Sequence, residues 1–160
     1  MATELETAVK EYPKASTATK KALEKIFGKE PFAPKVQNTV KTFEAAHPIF
    51  LKMKFKDSFF LLLQKRKVAE LTSADKLMIC AEVWRAALNY KPDYTNGDQY
   101  KWFPYFRNTG SGFVFSDSHY DCTITRTLCG SRFALPTSEV AADFGKTFLP
   151  LWNDFLTIKY

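Results

Sequence analysis

The soft metal ligands of this chain gather in one short stretch, His119, Cys122 and Cys129. A structural zinc site draws on four close ligands, usually through a pair of cysteines two to four residues apart. Two thiols and one imidazole, with Asp117 or Asp121 nearby, fall short of that set. A thiol nucleophile is the second chemistry these residues suggest, with Cys122 or Cys129 served by His119 or His47. Such a thiol needs a depressed pKa and an oriented base, and spacing supplies neither. An enzyme working through Cys122 and His119 therefore stands only as a remote alternative. Asp117 and Asp121 lie in a turn-rich segment, where aspartate is expected for backbone hydrogen bonds. Gly110-Ser111-Gly112 has neither the lysine nor the helix of a phosphate-cradling loop, and reads as a hairpin turn. No catalytic residue, metal or cofactor is assigned.

Binding chemistry is better represented. In Tyr100 to Arg107, alternation puts Tyr100, Trp102 and Phe106 on one face of a strand. Lys101, Phe103, Tyr105 and Arg107 fall on the other. This second face reads first as core or protein interface, since flanking helices must bury their own stripes on so small a sheet; exposed, its rings framed by cations would suit single-stranded nucleic acid, whose bases stack on aromatic faces while Lys and Arg follow the phosphates. Arg126 and Arg132 on later strands would extend this surface. A basic patch of Lys52, Lys54, Lys56, Lys65, Arg66 and Lys67 is offset locally only by Asp57. It reads either as a solvated edge or as a footprint for a polyanion or acidic partner.

Several elements must hold these residues. From Ser16, an amphipathic helix carries Ala22, Leu23, Ile26 and Phe27 on one stripe and is expected to end at Gly28, before a loop bracketed by Pro31 and Pro34. Val36, Val40, Phe43 and Ala46 repeat at helical spacing until His47-Pro48, where the residue before proline disfavours helix. Leu51, Met53 and Phe55 alternate with lysines over 49–56, the period of a half-buried strand, although helix stays open there. Phe59 to Leu63 is not settled by periodicity, so 47–70 is left between strand and helix. Thr72 with Asp75 resembles a helix-start box, and Leu77, Cys80, Ala81, Trp84 and Leu88 give a helix over 73–90. Tyr100–Arg107, Gly112–Ser116, Thr123–Leu128 and Ser131–Leu135 are strand candidates of a small antiparallel meander. Thr137 or Ser138 then caps a helix bearing Val140, Ala141, Phe144, Phe148, Trp152 and Phe155, with Gly145 and Pro150 weakening its middle.

Composition bounds the outcome. One hundred and sixty residues fit one domain, expected as a basic helical part (1–70) joined to a helix, aromatic sheet and terminal helix (71–160). Lys and Arg outnumber Asp and Glu 14 to 7 in residues 1–67, against 9 to 10 in residues 68–160. Any polyanion contact is therefore expected in the first part. Of the 25 aromatic residues (15 Phe, 7 Tyr, 3 Trp), 14 fall between Tyr100 and Tyr160. Three cysteines without a short-spaced framework suggest a reducing compartment. The N-terminus has no apolar signal region and no run approaches a bilayer span, so neither export nor membrane anchoring is expected.

The stretch from Lys91 to Tyr160 carries a recognisable theme: Pro92-Asp93-Tyr94, Gln99 to Phe106, Gly112 to Ser116, Gly130-Ser131-Arg132-Phe133, then Glu139, Ala141, Gly145, Lys146, Phe148 and Asp154-Phe155, preceded by Trp84 to Asn89 and Val40 to Ala45. In these residues the chain resembles small uncharacterised proteins of phages and prophages that infect Bacteroides-type gut bacteria. The resemblance implies an origin and a shared fold, and brings no activity or catalytic residue with it. Pro150, Cys122 and Cys129 depart from the theme.

The sequence thus predicts an α+β fold, a helical basic N-terminal half followed by a small C-terminal antiparallel meander packed by a long terminal helix. The functional expectation is a non-catalytic phage or prophage accessory protein that acts through a binding surface on a protein partner or virion component. It would reside in the host bacterial cytoplasm or in the virion. The alternative is a single-stranded nucleic-acid-binding protein that combines aromatic stacking with the basic patch. Oligomeric state is not legible.

Overall fold

The computed structural model describes residues 4–27, 35–122 and 131–157. Arg126, Cys129, the strand expected at Thr123–Leu128 and the helix end expected at Gly28 lie outside them. The chain divides into two compact units, 1–35 and 36–160. This boundary differs from the expected 70/71 division because the helices after Val36 bury Phe43, Phe50, Phe60 and Leu63 in the core that serves the rest of the chain.

The first unit contains α1 (Glu4–Glu11), a 3-10 turn (Tyr12–Lys14) and α2 (Thr17–Phe27). Ser16 Oγ accepts the Thr19 N–H at the start of α2, satisfying one of the orphan donors of the first turn. Tyr12 donates to Glu24, and Lys20 lies 5.4 Å from the Tyr12 ring centroid. No residue of α2 is buried, and Ile26 on its apolar stripe is exposed.

The second unit opens with α3 (Val36–Thr39) and α4 (Phe43–Lys52). The expected stop at His47-Pro48 does not occur. Thr42 starts the helix by accepting the Ala45 N–H at 3.2 Å, and burial of Phe43, Ala46 and Phe50 on one stripe carries it past Pro48. Nor is 49–56 a strand. The helix ends at Lys52, and the alternation survives in an extended, unpaired segment where Phe55 packs between Phe50 and Phe60 at 4.9 and 5.0 Å. Asp57 then caps α5 (Ser58–Lys65) by accepting the Phe59 N–H. Stretch 47–70 is therefore helical wherever it is regular.

The predicted capping box holds. Thr72 Oγ1 accepts the Asp75 N–H, Asp75 accepts the Thr72 N–H, and α6 runs Ser73–Ala87. Leu77, Ile79, Cys80, Ala81, Val83 and Trp84 are buried, so α6 is enclosed around most of its circumference. Trp84 Nε1 donates to the Val40 carbonyl at 3.0 Å, and its ring meets Phe144 and Phe148 edge-on. This single side chain ties α6 to the segments before and after it.

Among the described residues two strands form the sheet, β1 (Lys101–Asn108) and β2 (Phe113–Asp121), antiparallel with Trp102 opposite Tyr120 and Phe106 opposite Phe115. The hairpin turns through Gly110 and Gly112, both at positive φ. Between Tyr105 and Phe106 the register shifts, leaving Ser116 as the extra residue of a bulge. The expected strand Ser131–Leu135 is instead a 3-10 turn (Ser131–Phe133) followed by one bridge, in which Trp102 and Leu135 exchange both backbone hydrogen bonds. Buried Arg85 holds that turn by donating to the Arg132 carbonyl at 2.6 Å.

Thr137 caps α7 (Ser138–Thr147), and the chain breaks at Phe148 into α8 (Leu149–Leu156), with Pro150 in its first turn where no N–H partner is needed. The terminal helix expected to be weak in its middle is therefore two helices, and they pack on the sheet as expected. Gly145 lets α7 approach so closely that a Cβ there would stand 2.8 Å from both Pro104 and Phe115. Trp152 fills the centre among Phe106, Phe133, Phe144 and Phe155. The α+β class stands, with fewer strands among the described residues than the predicted meander.

Candidate binding surface

The structure places the aromatic strand differently from the surface expected of it. Because β1 alternates, Trp102, Pro104 and Phe106 share one face, and the bulge at Ser116 turns Phe115 onto that same face, under α7 and α8. The other face, which alternation leaves open between core or protein interface and a stacking platform, lies mostly inside. Phe103 is 2% exposed and Lys101 is fully buried. Lys101 is covered by the loop between α6 and β1: its Nζ donates to the Asn96 carbonyl at 2.8 Å and lies 5.3 Å from the Tyr94 ring centroid. A cation held this way cannot track phosphates. Tyr105 is half-buried against His119, with ring centroids 4.6 Å apart, and of the four only Arg107 is exposed.

Arg132 is equally displaced from this role. Its guanidinium pairs with Asp57 at 3.0 Å and stacks over Phe59, 4.2 Å from the ring centroid. It thus closes the start of α5 and contributes nothing to β1. The Asp57 carboxyl is held below the usual carboxylate range by that hydrogen bond first and by the Phe59 N–H second.

The sequence did not single out one aromatic group that the fold leaves outside. Tyr100 and Tyr120 are about half exposed, at 52% and 50%, and Tyr120 packs against both Tyr100 (4.5 Å) and half-buried Trp102 (5.0 Å). The rings are inclined by 64° and 55°, so they offer ridges and no flat stacking plane. The cross-strand pairing of Trp102 with Tyr120 was the missing signal, since it depends on a register that the sequence does not state.

The basic patch fares better. Lys52, Lys54, Lys56, Lys65, Arg66 and Lys67 are all exposed. Arg66 pairs with Asp75 at 3.3 Å, whereas none of the five lysines has an acidic partner within 4 Å among the described residues. Between them stand apolar side chains that did not enter the prediction: Ile49, Leu51, Leu61, Leu62 and Val68, each 40–48% exposed. Helical spacing explains the arrangement. On α5, Phe60 and Leu63 point into the core, so Leu61, Leu62 and Lys65 form the outer face. Gln64 fastens this helix to the end of α4, donating its amide to the carbonyls of Phe50 (2.9 Å) and Met53 (3.0 Å). The exposed ends of the two helices are thereby held together as one support.

Of the metal-ligand and thiol candidates, Cys129 lies outside the described residues and Cys122 is a free, half-buried cysteine. Among the described residues no group of three or more His, Cys, Asp and Glu side chains could hold a metal ion. His119 Nε2 lies 3.8 Å from Asp117 on an exposed strand edge. Cys80 is buried, and burial first, with Glu44 adding to it, pushes its thiol far up and away from the nucleophilic form. No helix among the described residues is long and apolar enough to cross a membrane. Comparison of the chain with protein-family models, with curated proteins and with solved structures finds no match.

Proposed function

We propose that the chain is a non-catalytic accessory protein, of phage or prophage origin, that acts by binding another protein through the face formed by residues 49–68. The observation that carries this reading is that one segment, its two helices linked by Gln64, holds five half-exposed aliphatic side chains and five lysines without an acidic partner within 4 Å among the described residues. Aliphatic groups interleaved with unpaired cations suit an acidic protein surface that brings its own apolar residues, since matched charge orients the encounter and apolar burial holds it. The partner class is an acidic, partly apolar protein, from the virion or from the host cytoplasm.

Single-stranded nucleic acid fits this geometry less well. The lysines remain, but Phe103 and Lys101 are inside, and the exposed residues between the lysines carry no ring on which a base could stack.

The test is a double variant, Leu61→Ser with Leu62→Ser, compared with the wild-type chain after crosslinking in phage-infected cells or an induced lysogen. The wild type should capture one reproducible protein, and the variant should lose it while keeping its unfolding midpoint. A partner retained by the variant would refute the assignment of the face. Anisotropy with a labelled oligonucleotide forms the opposing arm: tight binding that falls steeply with salt and ignores the leucine change would favour nucleic acid.

A further inference from the structure

A second site lies where α4 begins and α7 gives way to α8. A cleft of about 320 Å3 there is lined by Phe43, Phe148, Pro150 and Leu151 on its apolar side and by Lys41 and Lys76 at its rim. That volume is at the lower end of the roughly 300–1,000 Å3 typical of small-ligand pockets. Two features of the chain build it. The helices α7 and α8 break apart at Phe148, and Pro150 in the first turn of α8 lines the cleft with a rigid ring and no N–H to satisfy. Phe43 and Phe148 are both buried, so the floor is fixed by the core itself.

The charges at the rim are equally specific. Lys76 projects from α6 with its side chain half-buried, and its ammonium stands 5.5 Å from the Phe43 ring centroid, directly above the floor. Neither Lys76 nor Lys41 has an acidic partner within 4 Å among the described residues. Glu44 also lines the cleft, so the rim carries two positive charges against one negative. A net single charge, with no arginine and no nest of glycine amides, fits a monoanion better than a phosphate dianion.

We infer that this cleft binds a carboxylate carried on a short apolar stem, with the stem against Phe148, Pro150 and Leu151 and the carboxylate between Lys41 and Lys76. The same chemistry is offered by a free aliphatic acid and by the C-terminal residue of a polypeptide. The site is independent of the 49–68 face, because it uses the opposite end of α4 and none of the exposed leucines.

Backbone amide NMR titrations of the full chain test it, with hexanoate as the free-acid probe, hexanamide as its neutral match, and a short peptide ending in leucine with a free or amidated C-terminus. Hexanoate should shift the amides of Phe43, Thr147, Phe148 and Leu151 saturably, and hexanamide should not. Lys76→Met keeps the apolar stem and removes the charge, and should weaken hexanoate about tenfold, the loss of one charge-assisted contact. Leu61→Ser with Leu62→Ser should leave hexanoate binding unchanged, which separates this site from the protein-binding face. Binding of hexanoate alone would point to a free acid. Binding of the free-ended peptide more tightly than hexanoate, lost on amidation, would point to a polypeptide terminus. Equal shifts with hexanamide, an unaltered affinity in Lys76→Met, or no saturable shift with either acid would overturn the inference.

Discussion

Phe103, Phe133, Phe144, Phe148 and Trp152 are all buried, whereas Ile49, Leu51, Leu61, Leu62 and Val68 each keep 40–48% of their surface in solvent. The aromatic-rich C-terminal part would be the first place to look for a recognition surface, and the lysine-rich segment would pass for a solvated edge. Packing reverses that order. Large rings bury the most area per residue, so a small sheet under two short helices uses them as filling. The aliphatic residues of α5 stay outside because its inward stripe, Phe60 and Leu63, already occupies the core. An excess of one residue type therefore says little about a surface until the face on which each member lies is known.

The contrast can be broken most directly at Trp152. Its ring contacts four other aromatic side chains, and Trp152→Ala should cost about 3–5 kcal/mol, read as a lowered urea midpoint with the m-value retained. Loss of less than about 1 kcal/mol would mean that the aromatic cluster is not the core described. Next comes Gly145→Ala. The new methyl would meet Pro104 and Phe115 at 2.8 Å, and an overpacking cost of about 1–3 kcal/mol is expected by the same measurement.

A smaller effect is expected at low pH. The Asp57 carboxyl has a folded pKa below its unfolded value, so its contribution is fully present above about pH 4 and disappears as pH falls further. Asp57→Asn should flatten that acidic limb of a stability-against-pH profile by lowering the neutral plateau, only slightly because the pair with Arg132 is partly exposed, and should leave the stability at the acid end of the profile unchanged. Small too is the stability effect of Leu61→Ser, no more than about 1 kcal/mol, since the residue is only partly buried. A large loss there would place Leu61 in the core and erase the difference between the two regions.

What the sequence made legible follows the range of each interaction. The Thr72–Asp75 box spans four residues and needs no tertiary information, and α6 begins where that box places it. Thr137 is the same case. Pro48 shows the opposite case, since its local penalty predicts a stop while the burial of Phe43, Ala46 and Phe50 keeps α4 helical through it. The alternation over 49–56 reads as a half-buried strand, yet 49–52 finish α4 and 53–56 stay unpaired, since strand pairing requires a neighbour that periodicity cannot supply. Alternation also sorted the faces of β1 correctly. It could not say that the loop before the strand would cover Lys101, or that Arg132 would turn to Asp57. The exposed leucines of α5 were hidden inside a continuous apolar run, Phe59 to Leu63, whose inward and outward members separate only once the run is known to be helical.

The side chain of Asn153 has a consequence for how copies of this protein meet one another. Its amide accepts the Phe113 N–H at 2.6 Å and donates to the Phe113 carbonyl at 2.8 Å, taking both backbone groups of that residue. A residue on α8 thus occupies the position that a third strand would take beside the start of β2. Two-stranded ribbons invite further strands along their open edges, and fibrillar association begins there. Here the first rung of that ladder is already filled from within the same chain, and the exposed Asp117 lies farther along the same strand. The hairpin can be short without acting as a template for its neighbours.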